Sequence, residues 1–370
     1  MTDRPGIGDP AARLLARYVR EGAIAGAGLV VWKDGALVAE QFVGSAAPGL
    51  PAGPDVLWPV ASISKVYAAA AIMRLVEDGV LTLNTPVSLV LPDFTGDARE
   101  QVRIRHLLTH TAGFIYESPQ MEARLAAHTP LGELIAEALA SPLQFAPGTE
   151  LRYADYNYLV AGHVAAVVTG TPFADLVRSL VIAAAGLHQT FFPPPPDVHA
   201  RIAQVRGTVA EGTDGEMYNS SYARGLAHPA FGVFATTRDL ARFGSMFIPG
   251  GPRFLSEASV RTMTSDQTGH VPGSHPSMKG YAADVRIPWA IGFALQTERT
   301  PGLYSDLSSF RTFGHGGASG CALVCDPACG AVVALTTNTH LRTGREPWTR
   351  RVQSVLNCVF AGLEPATGVV

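Results

Sequence analysis

The apolar positions at the start of the chain predict a helix followed by two antiparallel strands. The Asp9-Pro10 pair is typical of an N-cap and a first helical position, and apolar side chains then recur at helical spacing to about Gly22. Residues 26–32 and 36–43 are apolar segments of strand length. The Asp34-Gly35 pair between them is a strong signal for a tight turn. We therefore expect a sheet that begins with a hairpin.

The remaining pattern divides the chain into a helical middle and a mixed second half. We predict helices over residues 62–78, 103–109, 131–140, 156–169, 173–186, 236–247, 256–264 and about 347–360, and strands over residues 289–296, 321–326 and 331–336. This order predicts the α/β (α+β) class, with an antiparallel sheet flanked by helices plus an inserted all-α domain. We assign residues 1–80 and 205–370 to a discontinuous α/β sheet domain and residues 81–204 to a mostly α-helical domain. An active site is expected in the crevice between them.

Composition and charge narrow the class of protein. Hydrophobic residues make up 47% of the chain, charged residues make up 16%, and the formal net charge is −3. Because no cluster of lysine and arginine is present, we expect neither nucleic acid nor a membrane surface as a partner. Residues 1–5 lead into glycine and proline without the apolar segment of a secretory signal, so we predict a cytoplasmic location.

The spacing of cysteine and histidine does not indicate a metal site. The chain has four cysteines, Cys321, Cys325, Cys329 and Cys358. They lack paired C-x-x-C spacing, and we expect them to be reduced packing residues. His106 and His110 stand four residues apart, but no glutamate lies between them to serve as a base. We expect a packed, hydrogen-bonded histidine pair, and we predict neither a metal nor a cofactor.

The first candidate for catalytic chemistry is the segment that runs from Ser62 to Lys65. Side chains three residues apart on a helix share a face, so the Ser62 hydroxyl and the Lys65 amine can meet. A lysine accepts a serine proton only if its pKa is lowered, and the apolar run at residues 66–73 supplies the necessary burial. Backbone N–H groups at the helix start suit an oxyanion. The alternative is a serine N-cap followed by a surface lysine.

The second candidate is the segment Tyr153-Ala154-Asp155, which comes just before a predicted helix. A tyrosine at such a junction can direct its hydroxyl into a cleft. If cations such as Lys65 lower its pKa, the phenolate can carry protons between Ser62 and a leaving group. The alternative is a tyrosine that only packs at the start of the helix.

The third candidate is the glycine-rich segment at residues 313–320, which surrounds His315 and precedes a predicted strand. Small residues allow the backbone to approach a ligand closely, and the amide of Ala318 can pair with that of Ser62 as an oxyanion hole. A phosphate loop is excluded because no Gly-Lys-Ser/Thr sequence follows. A plain flexible turn remains the alternative.

Taken together, these segments resemble the serine β-lactamase and penicillin-binding-protein superfamily, and most of all class C β-lactamases and family VIII carboxylesterases. Residues 62–65 are similar to the S-x-x-K element of that family, residues 153–155 to its Y-x-N element, and residues 315–317 to its K-T-G element. Their order and spacing match over residues 25–360. The resemblance implies a β-lactamase/transpeptidase-like fold with Ser62 as the nucleophile.

Two departures from the family pattern bear on the substrate. Asp155 replaces the asparagine that helps to hold the acyl amide of a β-lactam, and an ionised aspartate cannot donate a hydrogen bond. His315 replaces the lysine whose charge attracts the β-lactam carboxylate, and a neutral histidine lacks that charge. Binding of a β-lactam is therefore less favoured than binding of an ester.

We predict a serine hydrolase, a carboxylesterase that acts on small esters through an acyl-Ser62 intermediate. Lys65 and Tyr153 activate Ser62, and the amides of Ser62 and Ala318 hold the oxyanion. The predicted substrate-binding residues are Asp155, His315, Gly316, Gly317, Tyr116 and Trp289. Four alternatives stay open, namely a β-lactamase, a D-amino-acid peptidase or amidase, an acyltransferase, and a non-turnover penicillin-binding sensor. The physiological substrate and the oligomeric state are not predicted.

Overall fold

The computed structural model describes residues 6–269, 271–274, 288–298, 304–343 and 346–363. The strands among them are β1 (Gly26–Lys33), β2 (Ala36–Ala47), β3 (Leu50–Pro51), β4 (Trp58–Pro59), β5 (Leu151–Arg152), β6 (Thr190–Phe191), β7 (Phe234–Ala235), β8 (Gly273–Ser274), β9 (Ala294–Leu295), β10 (Phe313–Gly316), β11 (Ala322–Asp326) and β12 (Ala331–Thr337). Residues 1–5, which carry part of the prediction of location, lie outside the described residues.

The α-helices of the described residues are α1 (Asp9–Arg20), α2 (Ser64–Glu77), α3 (Val87–Val90), α4 (Ile104–Leu108), α5 (Met121–Ala126), α6 (Leu131–Ala140), α7 (Asp155–Thr169), α8 (Phe173–Val177), α9 (Ser221–Gly225), α10 (Thr237–Ser245), α11 (Glu257–Met263) and α12 (Trp348–Phe360). Short 3-10 helices cover Ala61–Ile63, Arg99–Gln101 and Pro196–Arg201, and a π-helix covers Arg178–Ala183.

The main sheet is antiparallel and brings the two halves of the chain together. Its seven strands run in the order β3-β2-β1-β12-β11-β10-β9. β1 pairs with β2 on one side and with β12 on the other, where Leu29 stands opposite Leu335. Between β1 and β2, Asp34 and Gly35 have φ angles of 50° and 80°. These left-handed values are those of a type I′ hairpin turn. The predicted hairpin and antiparallel sheet are therefore confirmed.

Helices cover both faces of this sheet. α1 and α12 pack together on one face, where Leu15 and Val355 belong to the same core as residues of β1 and β12. α10 packs on the other face, and its Phe243 shares a second core with α2. Every residue of α2 from position 64 to position 73 is buried. This burial confirms the prediction that the apolar run at residues 66–73 buries the helix that carries Lys65.

The predicted elements differ from the structure at a few places. The predicted helix at residues 173–186 is divided, because α8 ends at Val177 and a π-helix follows it. The predicted strand at residues 289–296 is reduced to β9, since Gly292 has a φ of 89° and the amide of Ala290 donates to Phe293 O at 2.8 Å. Part of the glycine-rich segment at residues 313–320 forms strand β10 rather than a loop. The division into two domains stays a prediction.

Two further observations concern the described residues alone. No single helix among them is long and apolar enough to cross a membrane, although the bent pair Asp155–Thr169 and Phe173–Ala183 passes the same test of length and composition when taken together. Within the same ranges, no group of three or more histidine, cysteine, aspartate and glutamate side chains is arranged to hold a metal ion.

Candidate active site

Ser62 lies in a 3-10 turn that leads directly into α2. The α-helix begins at Ser64, so the prediction that Ser62 is its first residue is wrong by one short turn. The preceding residue, Ala61, has a φ of 49°, a left-handed conformation that a residue with a side chain rarely adopts. Backbone strain of this kind is concentrated at functional sites. Ser62 is buried, with 8% of its surface exposed.

The segment at residues 228–233 holds the Ser62 turn in place. The amide of Val60 donates to the carbonyl of Val233 at 3.0 Å, and the amide of Val233 donates to Ser64 Oγ at 2.9 Å. The carbonyl of Ala230 accepts a hydrogen bond from Lys65 Nζ at 3.1 Å. The same short segment therefore fixes the residues on both sides of Ser62. Sequence reasoning did not find it, because backbone groups leave no side-chain signal.

Lys65 is fully buried and faces the start of α7. Its Nζ lies 2.7 Å from Asp155 Oδ1 and 4.8 Å from the centre of the Tyr153 ring. The alternative of a surface lysine is therefore wrong. Burial lowers the pKa of Lys65, while the charge and the hydrogen bond of Asp155, and the charge of Glu117, oppose that effect. The lowered pKa agrees with the prediction that Lys65 can accept a proton, and its role as the base stays a prediction.

Tyr153 lies beside Ser62, as predicted, but its ionisation differs from the expectation. Burial and then the charge of Asp155 hold the pKa of Tyr153 well above its usual value, and a hydrogen bond with Ser62 only partly opposes this rise. The condition for a resting phenolate, a pKa of Tyr153 lowered by cations, is therefore not met. At neutral pH the phenol keeps its proton, so it is suited to donate a proton rather than to act as a resting phenolate.

Asp155 is the first residue of α7, and its carboxylate is directed at Lys65. Burial raises the pKa of Asp155, and the charge and hydrogen bond of Lys65 oppose that rise. Its amide donates to the carbonyl of Tyr116 at 2.6 Å, which joins α7 to the loop before α5. The structure thus assigns Asp155 a contact with the candidate base. Its contact with a substrate stays a prediction.

Two glycines at the end of β10 allow close packing, since Gly316 is the last residue of the strand and Gly317 follows it. A Cβ atom at Gly317 would lie 2.3 Å from the carbonyl oxygen of Val60, and one at Gly316 would lie 2.3 Å from the Trp348 ring. No larger residue fits at either position without a shift of its neighbours. Gly317 thus lies against the residues that precede Ser62, which brings the two predicted oxyanion segments together.

A tight turn fixes Ala318. The amide of Gly317 donates to Cys321 O at 2.8 Å, and the carbonyl of Ala318 accepts from the amide of Leu341 at 2.8 Å. Ser62 contributes an amide from the first turn of its helix, where backbone N–H groups have no partner within the helix. Two amides held by rigid backbone suit an oxyanion hole, and that the amides of Ser62 and Ala318 form one stays a prediction.

Three of the predicted substrate-binding residues surround the Tyr153 ring. Trp289 and His315 are buried, with ring centres 5.7 Å and 5.9 Å from that of Tyr153, and Tyr116 stacks on it at 6.1 Å. His315 Nδ1 lies 2.7 Å from the carbonyl oxygen of Gly316, so this nitrogen carries the proton and donates. The three residues shape the wall beside Tyr153, and their contact with a substrate stays a prediction.

Glu117 and His110 belong to the site but were not predicted as part of it. Burial and the charge of Asp155 raise the pKa of Glu117 to about 7, against the opposing charges of Arg342 and Lys65. A single glutamate in a loop carries no signal in the sequence. His110 was predicted only as a packed, hydrogen-bonded residue, which is confirmed. It is not paired with His106, because His106 Nδ1 accepts from the amide of Arg103 at 3.2 Å instead.

The site has the architecture of a β-lactamase-like serine hydrolase. It combines an antiparallel sheet, a buried helix after Ser62, and Tyr153 beside Ser62. The chain belongs to the Beta-lactamase family, whose profile matches residues 11–356. The superfamily and the fold that the three motifs predicted are therefore confirmed.

Individual relatives agree with this assignment. The chain is 29% identical over 339 residues to penicillin-binding protein 4 of Amycolatopsis lactamdurans, covering 86% of this chain and 82% of that protein. It is 28% identical over 369 residues to esterase EstB of Burkholderia gladioli, covering 89% of this chain and 90% of that protein. The solved structure of EstCE1, a hydrolase with promiscuous acyltransferase activity, has the same fold, with a TM-score of 0.76, 22% identity, and coverage of 96% of this chain and 98% of that chain.

Proposed function

We propose that this serine hydrolase is a carboxylesterase that cleaves small esters through an acyl-Ser62 intermediate. The observation that carries the proposal is the buried ion pair of Lys65 and Asp155, with its 2.7 Å separation. In the resembling β-lactamases an asparagine at the position of Asp155 helps to hold the acyl amide of the substrate. A carboxyl group has no N–H to offer to that amide, and Oδ1 of Asp155 faces Lys65 Nζ in either protonation state, so the site favours an acyl group that needs no such contact. The similarity to esterase EstB supports the same choice.

The pair of Lys65 and Asp155 supplies the base. Burial pushes the pKa of the carboxyl up and that of the amine down, so transfer of one proton from Lys65 Nζ to Asp155 Oδ1 leaves two neutral groups in a dry site. Neutral Lys65 then accepts the proton of Ser62 as the serine oxygen attacks the ester carbonyl. The bond that forms joins Ser62 Oγ to the acyl carbon, and the carbonyl electrons move to the oxyanion.

Tyr153 supplies the acid. Because the raised pKa keeps its phenol protonated, Tyr153 donates that proton to the leaving alkoxide when the ester C–O bond breaks. The phenolate regains a proton from the ammonium of Lys65. In deacylation, Lys65 accepts a proton from water and the hydroxide oxygen bonds to the acyl carbon. The bond between Ser62 Oγ and the acyl carbon then breaks, and Ser62 Oγ takes the proton back from the Lys65 ammonium. The amides of Ser62 and Ala318 stabilise the oxyanion in both steps.

Steady-state hydrolysis of short-chain p-nitrophenyl esters tests the proposal. We expect turnover by the unaltered protein, an acyl adduct on Ser62 by intact-protein mass spectrometry, and loss of both in Ser62→Ala. Full ester turnover by Ser62→Ala would overturn the proposal. A single stoichiometric burst without turnover would indicate a sensor instead, faster cleavage of nitrocefin or of a D-amino-acid peptide would indicate a β-lactamase or peptidase, and product formed only with an added alcohol or amine would indicate an acyltransferase.

A further inference from the structure

His110 occupies a position at the end of α4 where glycine is usual. The amide of Thr111 donates to His106 O at 2.9 Å and the amide of His110 donates to Leu107 O at 3.5 Å, which is the hydrogen-bond pattern of a Schellman motif. The residue at this place in the motif adopts a left-handed backbone, and His110 does so with a φ of 59°. A side chain in this conformation costs free energy that glycine would avoid. The contacts of the His110 ring and backbone are what hold this conformation in place.

The left-handed turn directs His110 towards the backbone around Tyr153. Nδ1 of His110 accepts a hydrogen bond from the amide of Ala154 at 3.1 Å, and the carbonyl of His110 accepts from the amide of Arg152 at 2.9 Å. Because an amide N–H can only donate, Nδ1 is unprotonated, and the neutral ring has its proton on Nε2. One residue thus holds the chain on both sides of Tyr153.

The ring of His110 also packs on the phenol. Its centre lies 4.3 Å from that of Tyr153, and it meets the indole of Trp289 at 5.0 Å and 83°. His110 is fully buried, so the ring has no room to rotate away. Backbone and ring contacts together restrict both the position and the tilt of the Tyr153 side chain.

We propose that His110 is a positioning residue that holds the Tyr153 hydroxyl at Ser62. The proposal rests on the proposed function, in which Tyr153 transfers a proton. His110 acts through Tyr153 alone and exchanges no proton with the substrate. A displacement of about 1 Å from the reacting geometry lowers a rate by up to about 10²-fold, so loss of this support is visible in kcat.

The test combines variants of His110 with Tyr153→Phe in a double-mutant cycle. His110→Phe keeps a ring but removes the acceptor, whereas His110→Asn keeps an acceptor and tolerates the left-handed backbone. The readouts are kcat and KM for p-nitrophenyl acetate and the rate at which a fluorophosphonate probe labels Ser62. We expect His110→Phe to lower kcat and labelling roughly 10- to 100-fold with KM within about twofold, and His110→Asn to recover most of that loss.

In the Tyr153→Phe background, neither substitution should change the remaining rate by more than about twofold, because the group that His110 positions is gone. The same fold-loss in both backgrounds, or full activity of folded His110→Phe, would overturn the inference. If His110→Phe does not fold, His110→Ala replaces it in the same cycle.

The matched control is His106→Phe. Nδ1 of His106, a residue of α4, accepts a hydrogen bond from the amide of Arg103, and this substitution removes that acceptor just as His110→Phe removes the acceptor for the amide of Ala154. It should leave kcat unchanged. Failure of the proposed function is distinguishable from failure of the inference about His110. The first would appear as ester turnover by Ser62→Ala, whatever the rates of the His110 variants.

Discussion

Lys65 Nζ and Asp155 Oδ1 lie 2.7 Å apart, and both side chains are buried. Each residue brings the pKa of the other back towards its ordinary value, against the effect of burial. Neither charge is stable in this place without its partner. The ionisation of the candidate base therefore depends on a residue that begins a different helix.

Replacement of the carboxylate should move the pH dependence of catalysis. Asp155 raises the pKa of Lys65, so Asp155→Asn lowers it further. Lys65 acts as a base only when deprotonated, and the acid limb of the kcat/KM profile should therefore shift to lower pH. The profile for p-nitrophenyl acetate measures this shift. Asp175→Asn makes the same change in an exposed ion pair and should leave the profile unchanged. A shift to higher pH would contradict the assignment of Lys65 as the base.

The same substitution should widen the range of substrates. An asparagine at position 155 offers an N–H to an acyl amide, which the carboxylate cannot do. We expect Asp155→Asn to form a covalent β-lactam adduct on Ser62 roughly 2- to 10-fold faster than the unaltered protein, in keeping with the roughly 0.5–1.5 kcal/mol of a hydrogen bond between neutral groups. Intact-protein mass spectrometry with nitrocefin or penicillin follows the adduct. An unchanged rate would show that position 155 does not select the acyl group.

Removal of the lysine should make stability depend on pH. In Lys65→Met, Asp155 is buried without a cation, so its pKa in the folded state rises further above its unfolded value. The unfolded protein loses this proton at about pH 4, whereas the folded protein retains it to higher pH. The free energy of unfolding therefore falls as the pH rises from about 4 to the raised pKa of Asp155 in the folded protein. We expect a loss of roughly 3–5 kcal/mol at about pH 8 and a smaller loss at about pH 5, measured by urea unfolding.

The added substitution Asp155→Asn in the Lys65→Met protein serves as its control. It should remove the part of the loss that depends on pH, because no carboxyl is left to titrate at this position. Equal losses at both pH values in Lys65→Met would contradict the ion pair.

A methyl group on Gly317 should impair the oxyanion hole. Its Cβ would lie 2.3 Å from the carbonyl oxygen of Val60, which forces the chain just after β10 away from the Ser62 turn and displaces the amide of Ala318. Loss of one such donor lowers kcat by about 10²–10³-fold, and we expect Gly317→Ala to do the same with little change in KM. Gly53→Ala has open space around its Cβ and is the control. Unchanged kcat in Gly317→Ala would argue against this oxyanion hole.

Predictions from local pattern were the most successful. Asp34 and Gly35 form the expected hairpin turn, and α6 begins and ends at the predicted residues. The strand at residues 313–316 was described only as glycine-rich, because glycine has low strand propensity and this strand owes its place to close packing. The predicted cytoplasmic location and the division into two domains stay predictions.

Local sequence was sufficient to predict that Ser62, Lys65 and Tyr153 share one site, since helical spacing and a helix junction restrict where those side chains lie, and their catalytic roles stay predictions. It could not reveal that Asp155 pairs with Lys65, that the pKa of Tyr153 rises rather than falls, or that His110 holds the chain around Tyr153. Burial and the approach of charges from distant segments decide a pKa, and both arise only when the chain folds. The sequence alone thus determined which candidate reacting groups are present, and tertiary packing decided their protonation and their geometry.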